Sequence, residues 1–391
     1  MLTAVRAGLA EGLEVVLKAS FQLTPTECQV LDGLAAGLDI ATLAGAQGRA
    51  VATTRQHVKA ILAKLNVQSQ AQAVALVMSA SAALSRKPVA ILADGDCPLV
   101  RSRIGIGQGR EIAIRRFGDP SGLPLVYIHG SLFGIGTLPA MRRAAAILGL
   151  NVFAAERPGF GDTPFSAGDA DVMDTAARDV IGMMDHFGIA RAVLVCEGVA
   201  IIPAFRLALA IPERICGIVA ASIAVPLTNW NRTRSIPARQ RIQMWTARKA
   251  PSLSSGLIAI GHAIVRARGY STFPDLVFGT SGFDRDTWLE PQYYPCIEDA
   301  CKLNMQQGVR PGREDLLAAT HDWSTLAEAV NVPVRFLHGR HSETIELGEV
   351  EHLKNLVPGA SVEVVEDAGH TIILSHHALV LRRALELAWG R

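Results

Sequence analysis

The sequence predicts an α/β protein preceded by a small all-α domain, and three observations predict it. Between residues 21 and 84 only helix starts, helix stops and one tight turn appear. From Arg101 onward short apolar runs alternate with helical stretches, the pattern of a mostly parallel sheet covered on both faces. Late in that alternation a helical, aromatic-rich insertion intervenes, about 226–317. Length and composition agree, because 391 residues with 49% hydrophobic and 19% charged content suit a folded chain of two or three domains.

The 38 basic and 36 acidic residues give a net charge of +2, which neither demands nor excludes a nucleic-acid partner. The six cysteines, Cys28, Cys97, Cys196, Cys216, Cys296 and Cys301, include no C-x-x-C pair, so neither a zinc site nor a disulfide framework is expected. Residues 1–20 carry Arg6, Glu11, Glu14 and Lys18 among apolar positions and read as an amphipathic helix rather than a signal peptide. No run is long and charge-free enough for a membrane span, so the expected location is the cytoplasm, with no membrane partner. No metal or nucleotide cofactor is implied. The glycines of Ile104 to Arg110 precede a strand rather than a helix and read as a hairpin.

Residues 21–84 form the first domain. Thr24 is a helix cap, Pro25 sits at the first helical position, Glu27 lies in the first turn and Gly37 supplies the stop. A short helix from about Asp39 to Ala46 follows, then a turn at Gln47-Gly48-Arg49, then a longer helix from about Ala50 to Leu65. That spacing is a helix-turn-helix, whose second helix enters the DNA major groove. Residues 85–100 contain two prolines and Asp94-Gly95-Asp96 and read as a linker, and 101–391 form the second domain. Its expected strands are 125–130, 150–155, 192–195, 215–221, 332–338 and 361–365.

The run from Leu23 to Val77 resembles the LuxR-type DNA-binding module, through Leu23-Thr-Pro-Thr-Glu27, Gly37-Leu38, Thr53 with His57-Val58, and Ile61 to Val67. The resemblance implies that Arg55, Gln56 and Lys59 face bases and that Thr53 and Lys64 meet phosphates of double-stranded DNA. It also implies a homodimer, with residues 1–20 and 74–84 as the pairing helices. Gln47, Arg49 and Thr54 stand where the family carries apolar residues, which implies looser packing there. From 23 to 81 four cations face three anions, a thin +1 for a phosphate binder. A helical bundle used for protein contacts is the competing reading.

The second domain resembles the α/β-hydrolase fold with a helical lid. His129-Gly130 resembles its oxyanion loop, Glu156 to Gly161 the turn after the next strand, Cys196-Glu197-Gly198-Val199-Ala200 the nucleophile elbow, and Ala368-Gly369-His370 the histidine loop. The resemblance implies a triad at Gly198, Ser342 and His370, of which only the histidine has the required chemistry, with Glu343 one position beyond the acid's place. Ser131, Cys196 and Glu197 are candidate substitutes near the elbow. Cys196, at the end of a buried strand, reads as an inert thiol, whereas Glu197 could act as an acid or base with a raised pKa.

The resemblance further implies a ligand pocket at His129, Gly130, Ser131, Glu197, Gly198, Val199 and His370, roofed by the lid with Trp230, Trp245, Phe273, Trp288, Tyr293 and Tyr294. The lid segment Asn229 to Lys249 holds Arg232, Arg234, Arg239, Arg241, Arg248 and Lys249 with no acid. It reads as a solvated face, as a clamp for an anionic or acyl ligand, or as an auxiliary phosphate contact. The combination predicts a transcriptional regulator whose non-catalytic hydrolase domain senses a small molecule. An ester or lactone hydrolase or lyase with an atypical site, and a protein-interaction module, are the alternatives.

Overall fold

The computed structural model describes residues 17–18, 21–65, 67–74, 77, 97–107, 109–166, 171–230, 233, 236 and 238–389. The chain divides into two compact units, Met1–Pro98 with Phe117–Leu123 and Arg142–Asn151, and Leu99–Arg116 with Pro124–Met141 and Val152–Arg391. The pairing helices expected at 1–20 and 74–84, and the linker expected at 85–100, fall largely outside the described residues.

In the first unit, helix α1 (Pro25–Ala35) begins where expected, through a reciprocal cap. The Thr24 amide donates to Glu27 Oε2 at 2.7 Å, and the Glu27 amide donates to Thr24 Oγ1 at 3.3 Å. Gly37, at φ 81°, ends the helix in the left-handed conformation. Asp39 caps α2 (Ile40–Ala46) by accepting from the Thr42 amide at 2.8 Å. Helix α3 (Val51–Lys64) follows the turn and buries Thr54, Val58 and Ile61, a helical spacing that turns one face inward. Helices α1 and α2 come together because residue 33 is glycine: a Cβ there would collide with Leu43.

The second fold is an eight-stranded sheet of order β1-β2-β4-β3-β5-β6-β7-β8. β1 (Val100–Gly105) and β2 (Glu111–Gly118) pair antiparallel across the expected hairpin, closed by the Ile106 amide donating to Arg110 O at 3.0 Å. β3 (Leu123–Ile128), β5 (Ala192–Gly198), β6 (Ile215–Ile223), β7 (Val334–Gly339) and β8 (Ser361–Val365) run parallel in succession. β4 (Leu150–Ala155) is buried along its whole length. All six expected strands form. Helices α4 (Pro139–Ile147), α5 (Val172–His186) and α6 (Ile201–Ala210) follow β3, β4 and β5. The core is continuous from Val126 and Leu194 through Phe205 to Ile218, Val334 and Phe336.

Between β6 and β7 lies the insertion, built of α7 (Ala238–Lys249), α8 (Pro251–Arg268), α9 (Phe273–Phe278), α10 (Phe283–Trp288), α11 (Tyr294–Met305) and α12 (Arg310–Ala318). Helices α13 (Ser324–Glu328), α14 (Leu347–Leu356), α15 (Ile372–Ser375) and α16 (His377–Ala388) complete the fold. No described helix is long and apolar enough to cross a membrane. No disulfide joins the six cysteines, of which five are buried and Cys216 is half-buried.

Candidate functional site

On α3 the expected DNA-facing residues separate cleanly from the buried ones. Thr53, Arg55, Gln56 and Lys59 are exposed, while Thr54 is fully buried beneath them. Thr54 does not loosen the packing: its hydroxyl donates back to the Ala50 carbonyl at 3.4 Å, which settles the polar atom inside the helix. Lys64 is engaged inside the module. Its ammonium pairs with Glu27 Oε2 at 2.7 Å and donates to the Gln22 carbonyl at 3.0 Å. Burial raises the pKa of Glu27, but Lys64 and the Thr24 amide outweigh it and leave the carboxyl below its ordinary value. Lys64 therefore holds α3 to the start of α1.

In the second fold, β5 ends in the sharp turn expected of an elbow. Gly198 has φ 57°, and the Ala200 amide donates to the Glu197 carbonyl at 3.0 Å before α6 begins. A Cβ built on Gly198 would have its nearest neighbour, Gly130 Cα, 3.9 Å away. The strained backbone and the space for a side chain are both present, and the side chain is not.

Above the elbow is a cavity of about 420 Å³ whose lining includes Ser131, Glu197, Gly198, Val199 and His370. These five expected pocket residues come together, whereas His129 and Gly130 lie outside the lining. The His129 ring is engaged in the scaffold, Nε2 accepting from the Arg157 amide at 2.8 Å and Nδ1 lying 2.6 Å from the Gly130 carbonyl. Burial, with Arg157 nearby, pushes its pKa well down, so it is neutral. The Gly130 amide donates to Glu197 Oε1 at 2.7 Å. Burial pushes the Glu197 carboxyl up to about 7, against the Gly130 amide and the Tyr127 hydroxyl, which favour the charged form. Cys196 is raised by burial and is an inert thiol at neutral pH.

His370 has no acid. Its ring lies among Phe133 and Phe278, with centroids 6.2 and 6.3 Å away, and burial pushes it down to about 4. Its neighbour His338 is likewise down to about 4, through burial and then His370. Ser342 is half-buried and its Oγ accepts from the Ile345 amide at 3.5 Å. Glu343 is exposed, with its carboxylate against Gly282 and not among the cavity lining. Next to the histidine loop lies a carboxylate that sequence reasoning missed, the fully buried Asp284 of α10. Its Oδ1 accepts from the Thr371 amide at 2.9 Å and the Thr371 hydroxyl at 3.2 Å. It thus holds the backbone of the loop.

Two further buried acids fix the insertion. Asp299 of α11 pairs with Arg115 at 2.6 and 2.7 Å, while Arg115 also meets Glu156 at 2.7 Å. Asp315 of α12 forms a two-pronged pair with Arg157 at 2.9 and 2.7 Å. The lid aromatics contribute less to the cavity than expected. Phe273 lines it, Trp288 is fully buried in the lid, and Trp230 and Trp245 flank a separate surface hollow with Arg241 and Ile242. Aliphatic and methionine side chains supply most of the lining, among them Met244, Leu257, Ile258, Ile264 and Leu316. Arg232 and Arg234 fall outside the described residues. Among the described residues no group of three or more His, Cys, Asp and Glu could hold a metal ion.

Residues 21–77 match the model of the bacterial regulatory proteins, luxR family. The remainder is similar to solved α/β-hydrolase structures. A thermophilic esterase from Thermogutta terrifontis superposes with TM-score 0.54 at 19% identity, covering 74% of this chain and 98% of that one. An enol-lactonase from Burkholderia xenovorans gives 0.53 at 18% identity, covering 73% and 99%. A bromoperoxidase from Bacillus anthracis gives 0.54 at 18% identity, covering 75% and 100%. At such identities the likeness shows the fold. No curated protein matches the chain. The chain is thus a LuxR-type helix-turn-helix region joined to an α/β-hydrolase fold, an arrangement that supports a transcriptional regulator.

Proposed function

We propose that the protein is a one-component transcriptional regulator: a homodimer that reads double-stranded DNA through α3 and binds a small molecule in the cavity above the elbow without turning it over. The observation that carries the reading is Gly198, an elbow glycine with room for a nucleophile and none present, beside a histidine that lacks an acid. Arg55, Gln56 and Lys59 contact bases and Thr53 a phosphate, while Lys64 holds α3 in place and reaches the backbone only if it leaves Glu27. Ligand binding changes DNA affinity by preferring one arrangement of the dimer, and 1–3 kcal/mol of coupling, roughly, suffices.

Two measurements test it. Wild-type protein incubated with a panel of esters and lactones is expected to give no turnover, because loss of a triad nucleophile costs on the order of a millionfold. Turnover abolished by His370→Ala would support the enzyme reading instead. Fractions of a cell extract, added to protein bound to a captured DNA site, are expected to change its affinity. A complete survey without any such change would sink the sensor reading.

A further inference from the structure

Helix α8 is apolar on two faces. One lines the cavity through Leu257, Ile258, Ile264 and Val265. The other is exposed and carries Leu253, Gly256, Ala259, Ile260, Ala263 and Ala267, with Leu253 53% and Ile260 58% exposed. Ile260 borders both, since it also belongs to the cavity lining. From Pro251 to Val265 the helix has no Asp, Glu, Lys or Arg. A helix at the surface of a folded domain keeps its outer face polar, and an apolar outer face calls for a cover.

Gly256 sharpens the point. A glycine inside a helix weakens it, and a Cβ at residue 256 would meet nothing within 4 Å among the described residues. A second helix packed closely on this face gives the missing side chain a use. Leu253, Gly256, Ile260, Ala263 and Ala267 recur at alternating spacings of three and four, the seam of a two-helix pairing. Set antiparallel against its own copy about a two-fold axis, the seam is self-complementary. Leu253 meets Ala263 of the second copy and Ile260 meets Gly256, so each large side chain faces a small one. An 18-residue helix is about 27 Å long and about 10 Å across, so its face offers roughly 300 Å², short of the roughly 800 Å² per partner of a standard interface. That area suits a reversible dimer formed at micromolar concentration.

We propose that the outer face of α8 pairs with α8 of a second copy, so that one helix carries both a wall of the cavity and the dimer seam. The inference rests on the homodimer proposed above and names the face that makes it. A molecule seated in the cavity then touches the helix that holds the dimer together. α7 ends in Arg248 and Lys249 and α8 in Arg266 and Arg268, and antiparallel pairing brings these like charges of the two copies together. Dimerisation is therefore expected to strengthen with salt, whereas DNA binding weakens.

Sedimentation equilibrium of the full chain without DNA, across the micromolar range, reads this. The wild type is expected to show a monomer–dimer equilibrium that added salt tightens. Ile260→Glu and Leu253→Glu are each expected to weaken it at least tenfold. Leu253→Glu, outside the cavity lining, is expected to keep the monomer's melting temperature and the wild-type fluorescence of N-phenyl-1-naphthylamine, an apolar probe for the cavity. The inference is overturned if the wild type stays monomeric, if salt weakens the dimer, or if neither substitution alters it. A lower monomer melting temperature in Leu253→Glu would overturn it by showing the face covered by the chain's own residues. Flotation of wild-type monomer with anionic phospholipid vesicles would overturn it by assigning the face to a lipid surface. A dimer made through α8 that captures no DNA would refute the regulator reading alone. A dimer that ignores both substitutions and still captures a two-fold symmetric DNA site would overturn this inference alone.

Discussion

Helix α3 and the elbow at Gly198 retain opposite halves of what their folds use. On α3 the side chains survive: Thr53, Arg55, Gln56 and Lys59 project from a helix whose other face, Thr54, Val58 and Ile61, is buried. At the elbow the backbone is kept, with φ 57° at residue 198 and open space where a Cβ would stand, and residue 198 carries no side chain. The contrast teaches that a scaffold and its chemistry are separable. Recognition of DNA needs side chains on a helix that almost any core can support. Catalysis by a triad needs three groups in register.

The comparison can be broken most severely by attacking the scaffold of the second fold. Asp315→Ala leaves the Arg157 guanidinium buried without its carboxylate, and is expected to cost about 3–5 kcal/mol in denaturant unfolding. Loss of under about 1 kcal/mol would mean that the pair is not what fixes the lid. The next largest effect falls on α3. Arg55→Ala with Lys59→Ala is expected to weaken DNA binding by about 2–4 kcal/mol while leaving probe binding in the cavity unchanged, measured by anisotropy at fixed salt. Equal losses at both sites would collapse the distinction between them.

Titration sharpens the comparison. Glu197 has a folded pKa of about 7, raised from 4.5, so its contribution is full below pH 4.5 and is lost as pH rises through 7, by about 3 kcal/mol. His338 and His370, depressed from 6.5 to about 4, contribute stability above pH 6.5 that is lost as pH falls through 4. Urea unfolding at several pH values should therefore show Glu197→Gln gaining on the wild type between pH 4.5 and 7. His370→Asn should flatten the acid side instead. The smallest effect is Thr24→Ala, which removes one half of the reciprocal cap and should lower stability of the helical module by about 1 kcal/mol, followed by circular dichroism.

Much of this was legible in the residues because it depends on neighbours in sequence. The cap at Thr24, the stop at Gly37, the helix starting near Asp39 and the apolar runs that became strands are local signals, and these formed within a few residues of their expected places. The elbow glycine was legible for the same reason. What escaped was set by long-range pairing. Asp284, Asp299 and Asp315 resemble any surface acid in sequence, and their partners Thr371, Arg115 and Arg157 lie 87, 184 and 158 residues away. The Lys64–Glu27 pair likewise joins helices two apart along the chain, α3 and α1. The basic run in the lid left a clamp open as one of three readings because sequence cannot tell that Arg239 ends on backbone carbonyls.

The central claim is that this chain reads DNA through α3, and capture of genomic fragments by the purified full chain tests it most directly. Wild type and the Arg55→Ala/Lys59→Ala variant would be compared near physiological salt, and the captured fragments sequenced. The account predicts enrichment of a two-fold symmetric site by the wild type and its loss in the variant. Capture that is absent from both, or identical in both, would contradict it.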